Sequence, residues 1–182
     1  MTNDKIIRVG ITQGDTNGIG YEVILKTLQS PQITELFTPV VYGSAKTASY
    51  HRKALELQPV SMNVIKSGAD IKDGVNNVVE VTSEEVKVDL GMPSEFAGKA
   101  AFDALEHAVS DLKQGYIDVL VTAPINKKSI QSDQFTFPGH TEYLEASIGD
   151  GDKALMILFS ENVRVALVTT HVPVANVSSA IT

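Results

Sequence analysis

The stretch "IIRVGIT", Ile6 to Thr12, runs into "QGDTNGIG", Gln13 to Gly20, and then into "YEVILKTLQS", Tyr21 to Ser30. It reads as a β-rich run, a glycine-dense turn and an amphipathic helix with Val23, Ile24 and Leu28 at helical spacing. A strand that turns straight into a helix is the first half of a βα unit and points to an α/β protein.

The same alternation continues downstream. "PVVYGS", Pro39 to Ser44, is a second strand, with Ser44 placed to cap a helix running to Leu57. "MNVIKS", Met62 to Ser67, is a third strand. Gly68 to Pro93 is polar and rich in turn residues, a loop with one or two edge strands around "NVVEVT", Asn77 to Thr82. The clearest helix lies in "PSEFAGKAAFDALEHAVSDLKQG": Ser94 caps it, Phe96, Ala100, Leu105, Ala108 and Leu112 form its apolar face, and Gly115 ends it. "IDVLVTAP", Ile117 to Pro124, is an almost wholly apolar strand, as expected where helices cover both faces. "ALMILFS" and "VRVALVTTH" flank Glu161-Asn162 and read as a hairpin of long strands. At the end, "VPVANVSSAIT" opens like a helix capped by Asn176 or Ser178. The expected fold is an α/β/α sandwich around a mixed, mostly parallel sheet.

Composition narrows the function. Of 182 residues, 43% are apolar and none is cysteine, so disulfides, thiolate metal sites and a cysteine nucleophile are excluded. The formal charge of −7 offers no basic stripe for a nucleic acid and nothing for an anionic membrane surface. The amino terminus carries Asp4 and no apolar core of a signal peptide, and no run approaches the ~20 apolar residues that span a bilayer. A cytoplasmic protein is expected, with a small ligand as its partner.

Four places can hold chemistry. The turn Gly14–Gly20 gathers backbone N–H groups at a helix start, where an anion is favoured; a tight crossover needing glycine for space explains it equally well. It is neither G-x-G-x-x-G nor a P-loop. "TAPINKK", Thr122 to Lys128, leaves the carboxyl end of a strand, where ligands of open α/β sheets gather, and Lys127 can meet a phosphate or carboxylate there. "PGHTEYL", Pro138 to Leu144, sets His140 beside Thr141, either as ligand-binding groups or as helix caps. "TTH", Thr169 to His171, bunches polar groups after an apolar strand. One histidine makes no metal site alone. His51 and His107 sit on helices and read as solvent-facing or half-buried.

Taken in order and spacing, "GDTNGIGYEV", "TAPINK", "PGHTEYL" and "VRVALVTTHVPV" resemble the 4-hydroxythreonine-4-phosphate dehydrogenases of vitamin B6 biosynthesis. Members of that family are roughly twice as long. The resemblance therefore implies that residues 1–182 are the amino-terminal part of a two-domain enzyme with an isocitrate/isopropylmalate dehydrogenase-like fold. It implies oxidation of 4-phosphooxy-L-threonine with NAD or NADP, a divalent metal (Zn, Mg or Co), decarboxylation to 3-amino-2-oxopropyl phosphate, and a homodimer whose active site lies at the subunit interface. Residue by residue, His140 and Thr141 become substrate contacts and His171 one of three metal-binding histidines. The glycine turn departs from the family in Thr16-Asn17, where many relatives have Pro-Ala, and "TAPINK" has Ala123 for a more usual glycine. Related enzymes acting on another phosphorylated hydroxy acid such as erythronate 4-phosphate, or on a cyclic diol, share these motifs. A non-catalytic module that binds a phosphorylated metabolite is the alternative from another class.

Overall fold

The computed structural model of the chain describes residues 6–82 and 87–181. The expectations placed on Met1–Lys5, on 83–86 within the long loop and on Thr182 lie outside the described residues. Strand β1 (Arg8–Thr12) is an interior strand, one place from the edge of the sheet. It pairs with β2 (Thr38–Gly43) on one side and β5 (Val119–Thr122) on the other. Beyond β2 lie β4 (Asn77–Glu80) and then β3 (Asn63–Ile65), giving the order β3-β4-β2-β1-β5 with every pairing parallel.

Alternation along the strands sorts side chains onto two layers. Val40, Tyr42, Val79 and Ile117 pack against α4 (Glu95–Lys113) through Ala104 and Ala108. Val41 and Val78 pack against α1 (Gly20–Leu28) through Ile24 and Leu28. The short α2 (Ile33–Leu36) follows α1, and α3 (Ala45–Ala54) packs beside α1. Small residues let α4 approach closely. Gly98 has no room for a side chain, because a methyl group there would overlap the carbonyl of Ser129.

The outer face of α4 carries a second core. Phe102, Leu105 and Val109 meet Ile130, Phe135 and Tyr143, the last from α5 (His140–Ile148). The rings of Phe102, Phe135, Phe137 and Tyr143 stand 5.5–6.0 Å apart in mostly edge-to-face contacts, a favoured aromatic arrangement.

Several sequence expectations need correction. "IDVLVTAP" is covered on one face only: Val119 and Val121 are 47% and 50% exposed. β5 is an edge strand here, and α1 lies over β1 and β2 without reaching it. Phe96 is 71% exposed, because the buried stripe of α4 runs through Ala97, Ala101 and Ala104 instead. Ser44 sits at the start of α3 but its hydroxyl does not cap it. The carboxylate of Glu80 accepts from the Ala45 N–H at 3.0 Å and does that work. Ser94 does cap α4, accepting from the Ala97 N–H at 3.1 Å.

The hairpin forms as an antiparallel pair, but its strands are short. β6 (Ile157–Phe159) and β7 (Arg164–Ala166) make a separate two-stranded sheet with both faces exposed. Two strands with no covering layer have little to extend them. The carboxyl-terminal turn is α6 (Val177–Ala180), with Asn176 at its N-cap position and no side-chain cap. No helix among the described residues is long and apolar enough to cross a membrane.

Candidate functional site

Two of the sequence motifs are joined directly at the carboxyl end of the sheet. The Asp15 N–H donates to the Pro124 carbonyl at 2.9 Å, and the Ala123 N–H donates to Thr12 Oγ1 at 3.3 Å. Gly14 has φ +67°, and a side chain there would run into Pro124 and Ala123. Glycine is needed at that point both for its left-handed backbone and for the close approach.

The glycine turn is held from three further directions. Gln13, wholly buried, donates from Nε2 to the Ala100 carbonyl at 2.9 Å and so ties the turn to α4. Its Oε1 lies 2.7 Å from the Tyr21 hydroxyl, which accepts from the Ser44 N–H at 2.8 Å. Burial raises the Tyr21 phenol well above its ordinary range. Asn17 Nδ2 donates to the Met92 carbonyl at 2.7 Å while its Oδ1 accepts from the Asp89 N–H at 2.8 Å. His51, only 2% exposed, approaches the Thr16 carbonyl through Nε2 at 2.8 Å and stacks on Tyr21. A carbonyl only accepts, so Nε2 carries the proton. The expectation of a solvent-facing or half-buried His51 is thus overturned: α3 turns it inward onto the glycine turn. His107 is exposed, as expected.

The third motif adjoins the second. Gly139 occupies the N-cap of α5, and the Lys127 side chain reaches that point, its Cε within about 4 Å of where a Gly139 side chain would stand. His140 is half-buried and Thr141 exposed. Neither caps the helix, since no side-chain cap bond is made there. Burial, and then the positive charge of Lys127, hold the His140 pKa below its ordinary 6.5, so the ring is neutral near pH 7. Glu142 carries a negative charge in the same first turn. A neutral imidazole, an exposed hydroxyl, the Lys127 ammonium, the Glu142 carboxylate and the first N–H groups of a helix therefore share one corner. That set suits a ligand bearing both hydroxyl and anionic groups.

The fourth motif makes no hydrogen bond to the other three among the described residues. His171 is exposed with φ +58°, five residues past the end of β7 (171 − 166), and makes no hydrogen bond or ring contact with His140, Thr141 or Lys127 among the described residues. No group of three or more His, Cys, Asp or Glu residues able to hold a metal occurs among the described residues.

The sequence model described as "Pyridoxal phosphate biosynthetic protein PdxA" matches residues 35–182. The chain belongs to the PdxA family. It is 53% identical over its whole length to a protein of Bacteroides thetaiotaomicron named 4-hydroxythreonine-4-phosphate dehydrogenase, covering 50% of that protein. It is 37% identical over 170 residues to an Aquifex aeolicus protein of the same name, covering 51% of it. Among solved structures, that of a 4-hydroxythreonine-4-phosphate dehydrogenase from Burkholderia phymatum aligns with a TM-score of 0.83 at 28% identity, over 95% of this chain and 52% of that one. The chain thus spans about half the length of the PdxA relatives it matches, and the α/β fold expected from sequence is borne out by these neighbours.

Gln13, Asn17 and His51 escaped the sequence reading. Apart from Tyr21, eight positions from Gln13, their partners lie 35 to 87 positions away, so local pattern does little to announce them. The one available signal was the presence of polar residues in a turn otherwise built of glycine.

Proposed function

We propose that this chain is the amino-terminal half of a two-domain, NAD- or NADP-linked dehydrogenase that oxidises 4-phosphooxy-L-threonine in vitamin B6 biosynthesis. The observation that carries the reading is the His140–Thr141 pair at the start of α5 beside Lys127, in a chain 53% identical to a protein named for that activity. In this reading Thr141 and the first N–H groups of α5 bind an anionic group of the substrate, with Lys127 as a point charge. The uncharged His140 ring offers a donor and an acceptor to its polar groups and orients them.

His171 is proposed to give one imidazole to a divalent cation whose remaining ligands come from outside these 182 residues. The nucleotide is likewise proposed to bind mainly outside them, since no nucleotide fingerprint occurs here. The assembly proposed is a homodimer with the site at the subunit interface, and the location cytoplasmic.

The test is an assay of NAD and NADP reduction with 4-phosphooxy-L-threonine and with erythronate 4-phosphate. It is run on this chain alone and on the chain mixed with the unmatched half of the Bacteroides relative. Activity is expected only in the mixture, with the phosphothreonine as preferred substrate. Reduction by the chain alone, or a preference for erythronate 4-phosphate, would reject the reading as stated.

A further inference from the structure

Asn17-Gly18, in the middle of the glycine turn, is the one Asn-Gly pair in the 182 residues. Asparagine is a thermolabile residue, and most so before glycine, whose nitrogen no Cβ shields. We propose that Asn17 is a deamidation site gated by the loop 89–92, and that its conversion releases this loop from the glycine turn. The inference stands apart from the enzymatic reading, since its only reactants are the chain and water.

The Asn17 side chain is 3% exposed and held at both ends. Its Nδ2 donates to the Met92 carbonyl at 2.7 Å and to Ser94 Oγ at 3.3 Å, and its Oδ1 accepts from the Asp89 N–H at 2.8 Å. The main chain is tied as well. The Gly91 N–H donates to the Asn17 carbonyl at 2.8 Å, and the Gly18 N–H to the Asp15 carbonyl at 3.0 Å. In the reaction the Gly18 nitrogen loses its proton to solvent and attacks Asn17 Cγ. The Cγ–Nδ2 bond breaks, Nδ2 leaves as ammonia, and a five-membered imide closes. Water then opens the ring at either carbonyl and leaves aspartate or isoaspartate, with nothing oxidised or reduced. The folded arrangement blocks the attack, because the amide must first leave the loop and Gly18 must leave Asp15. The gate is light: residues 89–93 are all exposed, so little apolar burial holds the loop down.

The product does not restore the fastening. A carboxylate has no N–H for the Met92 carbonyl, and it places a charge in a buried position next to Asp15, whose Oδ1 already accepts from the Asn17 N–H at 2.9 Å. Isoaspartate also adds a methylene to the main chain, which moves the Asn17 carbonyl off the Gly91 N–H. Conversion is therefore a one-way opening of the loop over the turn that adjoins Pro124.

Peptide mapping by mass spectrometry reads the exchange of NH2 for OH at residue 17 in the full chain, aged in native buffer and in urea. Conversion in urea should outpace native conversion by about a hundred-fold or more. Gly91 has φ +77° with open space around it, so Gly91→Ala strains the loop without a clash and should speed native conversion about five-fold. A side chain at Gly18 would stand 3.4 Å from the Asp15 carbonyl, an ordinary contact, so Gly18→Ala keeps the fold and should slow conversion in both buffers. Converted protein, separated by ion exchange, should exchange amides in 87–94 about ten-fold faster than the parent while 20–28 is unchanged. Asn17→Asp, made directly, should show the same loop and serves if Gly91→Ala does not fold. Equal conversion in the two buffers, no conversion in urea, or a folded Gly91→Ala that converts at the parent rate overturns the gated site. Converted protein and Asn17→Asp with loops as protected as the parent's overturn the release.

Discussion

His51 and Thr16 are 35 positions apart, yet the imidazole Nε2 lies 2.8 Å from the Thr16 carbonyl, beneath the glycine turn and out of reach of solvent. The histidine is a strut. Its removal empties a buried volume against Tyr21 and leaves a buried carbonyl without its partner. His51→Ala is expected to cost about 2–4 kcal/mol, read as a lower midpoint in urea with an unchanged slope. A loss under ~0.5 kcal/mol would show that the turn stands without it.

Thr16 itself carries the opposite signature. Its hydroxyl is buried and without a hydrogen-bond partner. Replacing an unsatisfied buried hydroxyl by a methyl group of the same shape removes a desolvation cost. Thr16→Val should be neutral or stabilising by up to about 1 kcal/mol in the same urea assay; clear destabilisation would mean that the hydroxyl is bonded in solution.

Gly98 should tolerate no side chain. A methyl group there would meet the Ser129 backbone, which is fixed by the bond from the Ile130 N–H to the Asn126 carbonyl at 3.1 Å. Gly98→Ala gains helix propensity of about 1 kcal/mol, and overpacking outweighs it. A net loss of at least about 1–3 kcal/mol is expected, accompanied by faster exchange in the loop 125–131. A more stable variant would contradict the packing described.

His140 gives a pH signature with a definite sign. Its folded-state pKa is depressed below 6.5, first by burial and then by Lys127. The unfolded chain therefore binds the proton more readily, and stability present above pH 6.5 declines as the pH falls from there through the folded value. Proton NMR should place its midpoint below the ordinary 6.5. Lys127→Ala should raise the His140 midpoint without restoring it fully, since burial remains. An unmoved midpoint would separate the two residues.

Much of this architecture was legible beforehand, for reasons that particular residues make plain. Strand, glycine turn and α1 followed from Ile6–Ser30 because the period of apolar residues changes from two to three-and-four across a run of glycines. Ser94 was legible as a cap because capping is local, decided by a hydroxyl three residues from an N–H. Ser44 had the same local credentials and failed, because Glu80, from a strand far along the chain, supplies the cap. Val119 and Val121 were misjudged since an apolar strand declares that it needs cover without declaring which chain segment provides it. In the site, adjacency made His140 and Thr141 visible as a pair. The approach of Lys127 to them depends on how the loop after β5 folds back along α4, which no spacing rule conveys.

The parallel register carries one more consequence, for biosynthesis. Val9 in β1 faces Pro39 on one side and Val119 on the other, 30 and 110 positions downstream (39 − 9 and 119 − 9). A nascent chain emerging amino end first can assemble β1 with β2 early, but must hold the other flank of β1 unpaired until residue 122 has cleared the ribosome. Such long loop closures are slow, and an open apolar flank invites aggregation while it waits. An interior strand of the sheet is thus among the first made and the last secured, which makes translation speed and chaperone supply the natural controls on its yield.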